Sequence, residues 1–198
     1  MRPVMTKLTR IGIPLMLLIG LGAFVYAWFS AASPNVTREG IQSYAVGEMS
    51  RLQFQRAGEP ISEAEFQAPD GSTATLADYT GRILVVNFWG TTCAPCVLEM
   101  PTLAALQNEF DESDLLVMPL SFDRVGDYPM ARERLDELTD GALDFYGDAE
   151  RGVMFDSYIG GFPSTVIYDR NGREVARFEG DTDWASDEAL ELFRALVG

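Results

Sequence analysis

The sequence predicts an α/β domain, a central mixed β-sheet flanked by helices, preceded by one N-terminal transmembrane helix. Three observations carry this. Ile11 to Ala32 contains no charged residue and follows the basic Arg2, Lys7 and Arg10. Two continuous apolar runs, Ile83 to Trp89 and Leu115 to Phe122, bracket a segment of helical spacing. That is the pattern of strands buried on both faces and joined by a crossover helix. A hairpin pattern followed by a helical one closes the chain, and it adds antiparallel strands to the sheet.

The charge-free stretch of 22 residues spans ~33 Å as a helix, enough for a hydrocarbon core of ~30 Å. Tyr26 and Trp28 sit toward its far end, where amphipathic rings favour the membrane interface. Lys and Arg stay on the cytoplasmic side, so the residues that follow face the other way. The rival reading is a cleaved signal peptide ending at Ser30-Ala31-Ala32, against which the stretch is longer than a usual apolar core of about 7–15 residues. Both readings export the domain. The expected organisation is therefore a cytoplasmic stub and anchor over 1–32, a polar stalk over 33–58, and a folded domain over 59–198. Ile41 to Phe54 of the stalk has the makings of a short helix.

Composition removes several functions. The chain has 198 residues and a net charge of −15, and its 30 acidic residues all follow residue 38. Such a surface repels nucleic acid and anionic lipid headgroups. Lys7 is the only lysine, so the domain has no Schiff-base lysine. Histidine is absent, which excludes histidine general bases, Ser-His-Asp triads and histidine metal sites. Two cysteines alone close no structural zinc or iron–sulfur site, so no metal site is expected.

Along the domain, Glu65 to Ala68 and Thr73 to Leu76 form a short hairpin around Asp70-Gly71. Ile83 to Trp89 is a buried strand. Ala94 to Phe110 is a helix carrying Pro101 as an expected kink. Leu115 to Phe122 is the second buried strand, and Arg132 to Leu138 and Glu150 to Tyr158 read as helices. Ser164 to Tyr168 and Glu174 to Phe178 form a hairpin joined by Asp169-Arg170-Asn171-Gly172. Ser186 caps the last helix, with Leu190, Phe193 and Val197 on its inner face.

The chemistry concentrates in Cys93-Ala94-Pro95-Cys96, placed where a buried strand gives way to a helix. The first N–H groups of that helix favour a thiolate at Cys93. The i, i+3 spacing brings Cys96 within disulfide reach on the same face. Cys93 is then the exposed nucleophile that forms a mixed disulfide with a partner, and Cys96 the buried sulfur that resolves it. Pro95 suits the opening turn, where its missing N–H costs little. A purely structural disulfide would gain little entropic stabilisation from so short a loop. No cofactor is needed beyond the redox-active pair itself.

Phe88-Trp89, the Cys-x-Pro-Cys motif with Glu99-Met100-Pro101, and Gly161-Phe162-Pro163-Ser164-Thr165 resemble the TlpA/ResA/CcmG branch of the thioredoxin superfamily. The likeness covers Ile61 to Gly198. It is strongest to the TlpA type, whose pattern Asp183-Trp184-Ala185-Ser186-Asp187-Glu188-Ala189-Leu190 also resembles. The resemblance implies a thioredoxin-like fold tethered to a bacterial inner membrane by a single pass, with the domain in the periplasm. It implies electrons received from a membrane thiol transporter of the DsbD/CcdA type. They would pass to client proteins with disulfides: a Sco-like copper chaperone and the CuA-site subunit of cytochrome oxidase, or apocytochrome c. By the same resemblance Pro163 is a cis-proline and Phe162 offers main-chain hydrogen bonds to a client. Glu99 is the acidic group beneath the cysteines, which opposes a thiolate and relays a proton. Trp89 packs against the site, and Ala94 and Pro95 face the client. Two departures stand out. Asn87 replaces thioredoxin's buried Asp and cannot transfer a proton, which shifts that duty to Glu99. Thr92 stands where the family usually has Trp, which removes an aromatic from the rim.

The uncharged Ala94-Pro95 spacer, the missing histidine and Glu99 all work against a strongly stabilised thiolate, so a reductase is expected rather than an oxidant. Two alternative functions could use the same cysteines. A thiol peroxidase usually seats its cysteine in Pro-x-x-x-Thr-x-x-Cys, which Thr91-Thr92-Cys93 does not match. A Cu(I)-binding chaperone would use the same two thiolates, without a histidine to complete the site.

Overall fold

The computed structural model describes residues 38–198. The expected transmembrane helix over 11–32 lies outside the described residues. Among the described residues no helix is long and apolar enough to cross a membrane.

The fold is one seven-stranded mixed sheet in the order β2-β1-β5-β4-β3-β6-β7. β1 (Glu65–Gln67) and β2 (Thr73–Thr75) are the expected short hairpin. β3 (Ile83–Trp89) and β4 (Leu115–Ser121) are buried at every position and run parallel. β5 (Tyr146–Gly147) joins β4 in parallel and β1 antiparallel. β6 (Ser164–Tyr168) lies antiparallel to β3, and β7 (Glu174–Glu179) antiparallel to β6.

Side chains of β3 alternate between two cores, as the period of a strand requires. Ile83, Val85 and Trp89 enter one apolar cluster, and Leu84, Val86 and Phe88 enter the other. The first cluster is covered by α2 (Ala94–Asn108), α3 (Tyr128–Thr139) and α5 (Asp187–Val197). The second is covered by α4 (Gly152–Asp156) and the turn at Leu76.

Several boundaries differ from expectation. α3 begins at Tyr128 rather than Arg132, because Pro129 occupies the first turn, where no N–H is needed. α4 is five residues, shorter than the expected Glu150 to Tyr158. The buried stripe of α5 is Ala189, Leu192, Phe193 and Leu196, with Leu190 and Val197 only partly buried at its margin. The expected stalk is, in its described part, built into the domain. α1 (Arg38–Gln42) and the following turn bury Ile41, Met49 and Leu52 in the first cluster. Gln53 forms an antiparallel bridge to Arg177 of β7, and Pro60 one to Arg173, just before that strand. Ser62, Glu174 and Arg177 are among the buried polar residues, and Arg177 clamps Glu174 with bonds of 2.8 and 2.6 Å.

Candidate active site

β3 ends at Trp89, and Gly90-Thr91-Thr92 leads to Cys93, the N-cap of α2. The Cys93 sulfur accepts from the Cys96 N–H at 3.4 Å, which places it at the positive end of the helix. The two cysteines are joined as a disulfide. Cys93 is half-buried and Cys96 fully buried, while Ala94 is exposed and Pro95 half-buried. An incoming group therefore meets the sulfur of Cys93 first.

The loop before Cys93 is braced from β4. Asp123 accepts from the Thr91 N–H and hydroxyl, both at 3.0 Å, and from Ser121 at 2.8 Å. Phe122 lies over Gly90, where an added Cβ would stand 2.6 Å from the ring. Its other neighbour is Phe162, at 4.1 Å between ring centroids. The aromatic that Thr92 withholds from the rim is thus supplied in part by Phe122, which is half-exposed.

Phe162–Pro163 is a cis peptide bond. Register pairs Phe88 with Ser164, which sets Pro163 and Phe162 alongside the end of β3. Phe162 is 40% exposed, and neither its N–H nor its carbonyl has a backbone partner among the described residues. Trp89 is fully buried in the cluster that holds Cys96, so it is a core wall behind the disulfide rather than a surface for a client.

Glu99 is one turn beyond Cys96 on α2 and only 2% exposed. Its Oε1 accepts from Asn87 Nδ2 at 2.8 Å, and its Oε2 from Trp184 Nε1 at 3.0 Å. Burial pushes its pKa up from 4.5 to about 7, against the opposing pull of these two hydrogen bonds, and the nearby Asp181 adds to the rise. Between those two values the folded protein holds a proton that the unfolded chain has released. Stability from this group is therefore greatest below pH 4.5 and falls as pH rises to 7. The loss amounts to about 3 kcal/mol. A Glu99→Gln variant should lack this slope. Urea unfolding of the two proteins should show the variant gaining about 3 kcal/mol relative to wild type between pH 4 and pH 8. A constant difference across that range would refute the assignment.

The sequence singled out the cysteines, Glu99, Phe162 and Pro163, and the structure gathers them at one end of β3. It missed Phe122 and Asp123, whose part depends on the loop after β4 folding back onto residues 90–91. Thr165 and Trp184 were visible only as members of motifs, with no signal that both belong to the hydrogen-bond chain around Glu99.

A disulfide capping the first helix after a central strand, beside a cis-proline on a mixed sheet, defines a thioredoxin-like α/β protein. The AhpC/TSA family profile matches residues 57–176, more than half of the chain, and the chain belongs to that family. The thiol-disulfide oxidoreductase ResA of Halalkalibacterium halodurans is 27% identical over 148 residues, covering 70% of this chain and 78% of that protein. ResA of Geobacillus thermodenitrificans is 28% identical over 104 residues, or 52% of this chain, which spans 58% of that relative's length. A Chlorobium tepidum structure named for the thiol:disulfide interchange protein DsbE superposes with a TM-score of 0.62. It has 19% identity and covers 72% of this chain and 98% of its own, which supports the same fold.

Proposed function

We propose that this chain is a membrane-tethered periplasmic thiol–disulfide oxidoreductase that works as a protein-disulfide reductase. One observation carries the reading: an accessible sulfur, Cys93, sits at a helix N-terminus with a buried partner sulfur and a buried carboxyl behind it. The relatives named thiol-disulfide oxidoreductases support the same chemistry.

In the reduced protein the Cys93 thiolate attacks one sulfur of a client disulfide. The client's S–S bond breaks, a Cys93–client bond forms, and the other client sulfur leaves as a thiolate and takes up a proton. Cys96 then gives its proton to Glu99 and attacks Cys93. The Cys93–client bond breaks, the Cys93–Cys96 bond closes, and the client departs reduced by two electrons. Exposed Ala94 and the backbone of Phe162, which has no backbone partner among the described residues, offer the client an edge to lie against. Two electrons from a membrane donor of the DsbD/CcdA type reopen the disulfide. The clients we assign are a Sco-like copper chaperone and the CuA-site subunit, on the resemblance of residues 183–190 to the TlpA pattern.

Direction is tested by equilibrating the purified protein with thiol buffers and reading the state of Cys93 and Cys96. The expected reduction potential lies nearer about −270 mV, the thioredoxin value, than about −120 mV, the value of a strong oxidant. A result at the oxidising end would overturn the reductase reading.

A further inference from the structure

Two side-chain donors of different character hold the carboxyl of Glu99, and the backbone of Thr182 adds a further hydrogen bond that favours its ionised form. Trp184 offers only an N–H and has no acceptor to exchange for it. Its indole is fully buried, wedged between Phe178 at 5.5 Å and Phe193 at 6.2 Å, and its backbone N–H donates to Thr102 at 3.2 Å. Asn87 is different, because an amide carries donors on one side and an acceptor on the other. Its Nδ2 donates to both Glu99 Oε1 and Thr165 Oγ1, at 2.8 and 2.9 Å. Its Oδ1 is buried and has no hydrogen-bond partner among the described residues. An orphaned buried acceptor is costly and calls for a reason.

We propose that Trp184 is a positioning residue for Glu99: it keeps Oε2 an acceptor, so the proton Glu99 takes from Cys96 is carried on Oε1, facing Asn87. This deepens the reductase reading and rests on it. When Oε1 is protonated, Asn87 reverses its amide. Oδ1 then accepts from Glu99 O–H and from the Thr165 hydroxyl, and the Nδ2 group takes the place that Oδ1 held. Trp184 does not move in either state. The carboxyl is thereby kept at one orientation while its proton comes and goes, which a relay requires.

The surroundings contain few other charges. On α2 itself the neighbour is Cys96, one turn back. β3 supplies neutral Asn87, and β6 neutral Thr165 through it. From the segment before α5, Asp181 is the acidic neighbour that favours the protonated form. Thr182, in the same segment, donates through its hydroxyl to Glu48 at 2.9 Å. Arg51 reaches that segment only through the carbonyls of Glu179 and Asp181.

The test has two arms on the full chain. In the first, the indole N–H resonance of Trp184, assigned by its absence in Trp184→Phe, is followed from pH 5 to pH 9. It should titrate in wild type, with a midpoint near that of Glu99, and stay fixed in Glu99→Gln. In the second, resolution of a preformed Cys93 mixed disulfide is timed against pH. Trp184→Phe removes a hydrogen bond to the ionised carboxylate, so the acid limb should move up by about one to two pH units. At pH 6 resolution should slow by about ten- to a hundredfold and converge on the wild-type rate at high pH. An indole resonance that ignores pH, or a profile for the variant that superposes on wild type, overturns the proposal. If Trp184→Phe does not fold, the resonance is assigned instead from its through-space contacts to the rings of Phe178 and Phe193, and the wild-type and Glu99→Gln titrations decide. The first arm needs no redox activity. A protein inert toward disulfides but with a titrating indole would defeat the reductase reading and leave the Trp184–Glu99 link standing.

Discussion

Cys93→Ser should abolish disulfide exchange, leaving only the rate of the uncatalysed thiol reaction. The one thiol left in that variant is Cys96, which is fully buried and out of a client's reach, and the chain has no histidine and a lone lysine at residue 7. Cys96→Ser should behave differently. Cys93 is the half-buried sulfur at the helix N-terminus, and it can still attack. The resolving sulfur is gone, so the mixed disulfide accumulates instead of turning over. Non-reducing electrophoresis of cells expressing each variant separates these outcomes, and mass spectrometry of the trapped adducts names the clients. Retained turnover in Cys93→Ser would refute the assignment. Adducts that form equally well through Cys96 in Cys93→Ser would reverse the two roles.

The second large effect is on stability. Arg177→Met should cost about 3–5 kcal/mol in urea unfolding, because Glu174 is left with a buried, unpartnered carboxylate. The pair is 7% and 3% exposed at its side chains, and Arg177 also donates to the Ser157 carbonyl at 3.0 Å. Glu174→Met combined with Arg177→Met should recover most of the loss, since two apolar side chains need no partner. A double variant as unstable as the single one would mean that the Ser157 contact, not the ion pair, carries the effect. The surface pair Arg134–Glu137, at 45% and 58% exposure, should show no comparable loss.

What could be read in advance follows from how local each signal is. β3 and β4 announced themselves as apolar runs because both faces of each strand are buried. The motif at Cys93 was legible because strand, turn and helix are consecutive in the chain. β5 was not, since two residues become a strand only by pairing with Leu120, Ser121 and Gln67. Residues 41–54 read as a stalk with the makings of a short helix because Ile41, Met49 and Leu52 share a helical face but are few among polar neighbours; in the fold a helix ending at Gln42 and a separate turn at Gly47–Arg51 carry them instead. The contact from Trp184 to Glu99 spans 85 positions, and nothing in either segment's local pattern encodes it. The identity of Glu99 was thus readable, while the hydrogen bonds that hold it were not.

The bridges of Gln53 to β7 and of Pro60 to the residue just before it have a consequence for the assembled protein. β7 is the last strand of its sheet, and a bare last strand is a template on which another chain can add and propagate. Gln53 exchanges both backbone bonds with Arg177, at 2.8 and 3.0 Å, and Gly58 and Glu59 do the same with Glu174. Proline at 60 has no N–H to offer a newcomer. The segment acts as a selvedge: it finishes that margin of the sheet against aggregation, and it leaves the backbone at Phe162, beside the disulfide, open to a passing strand.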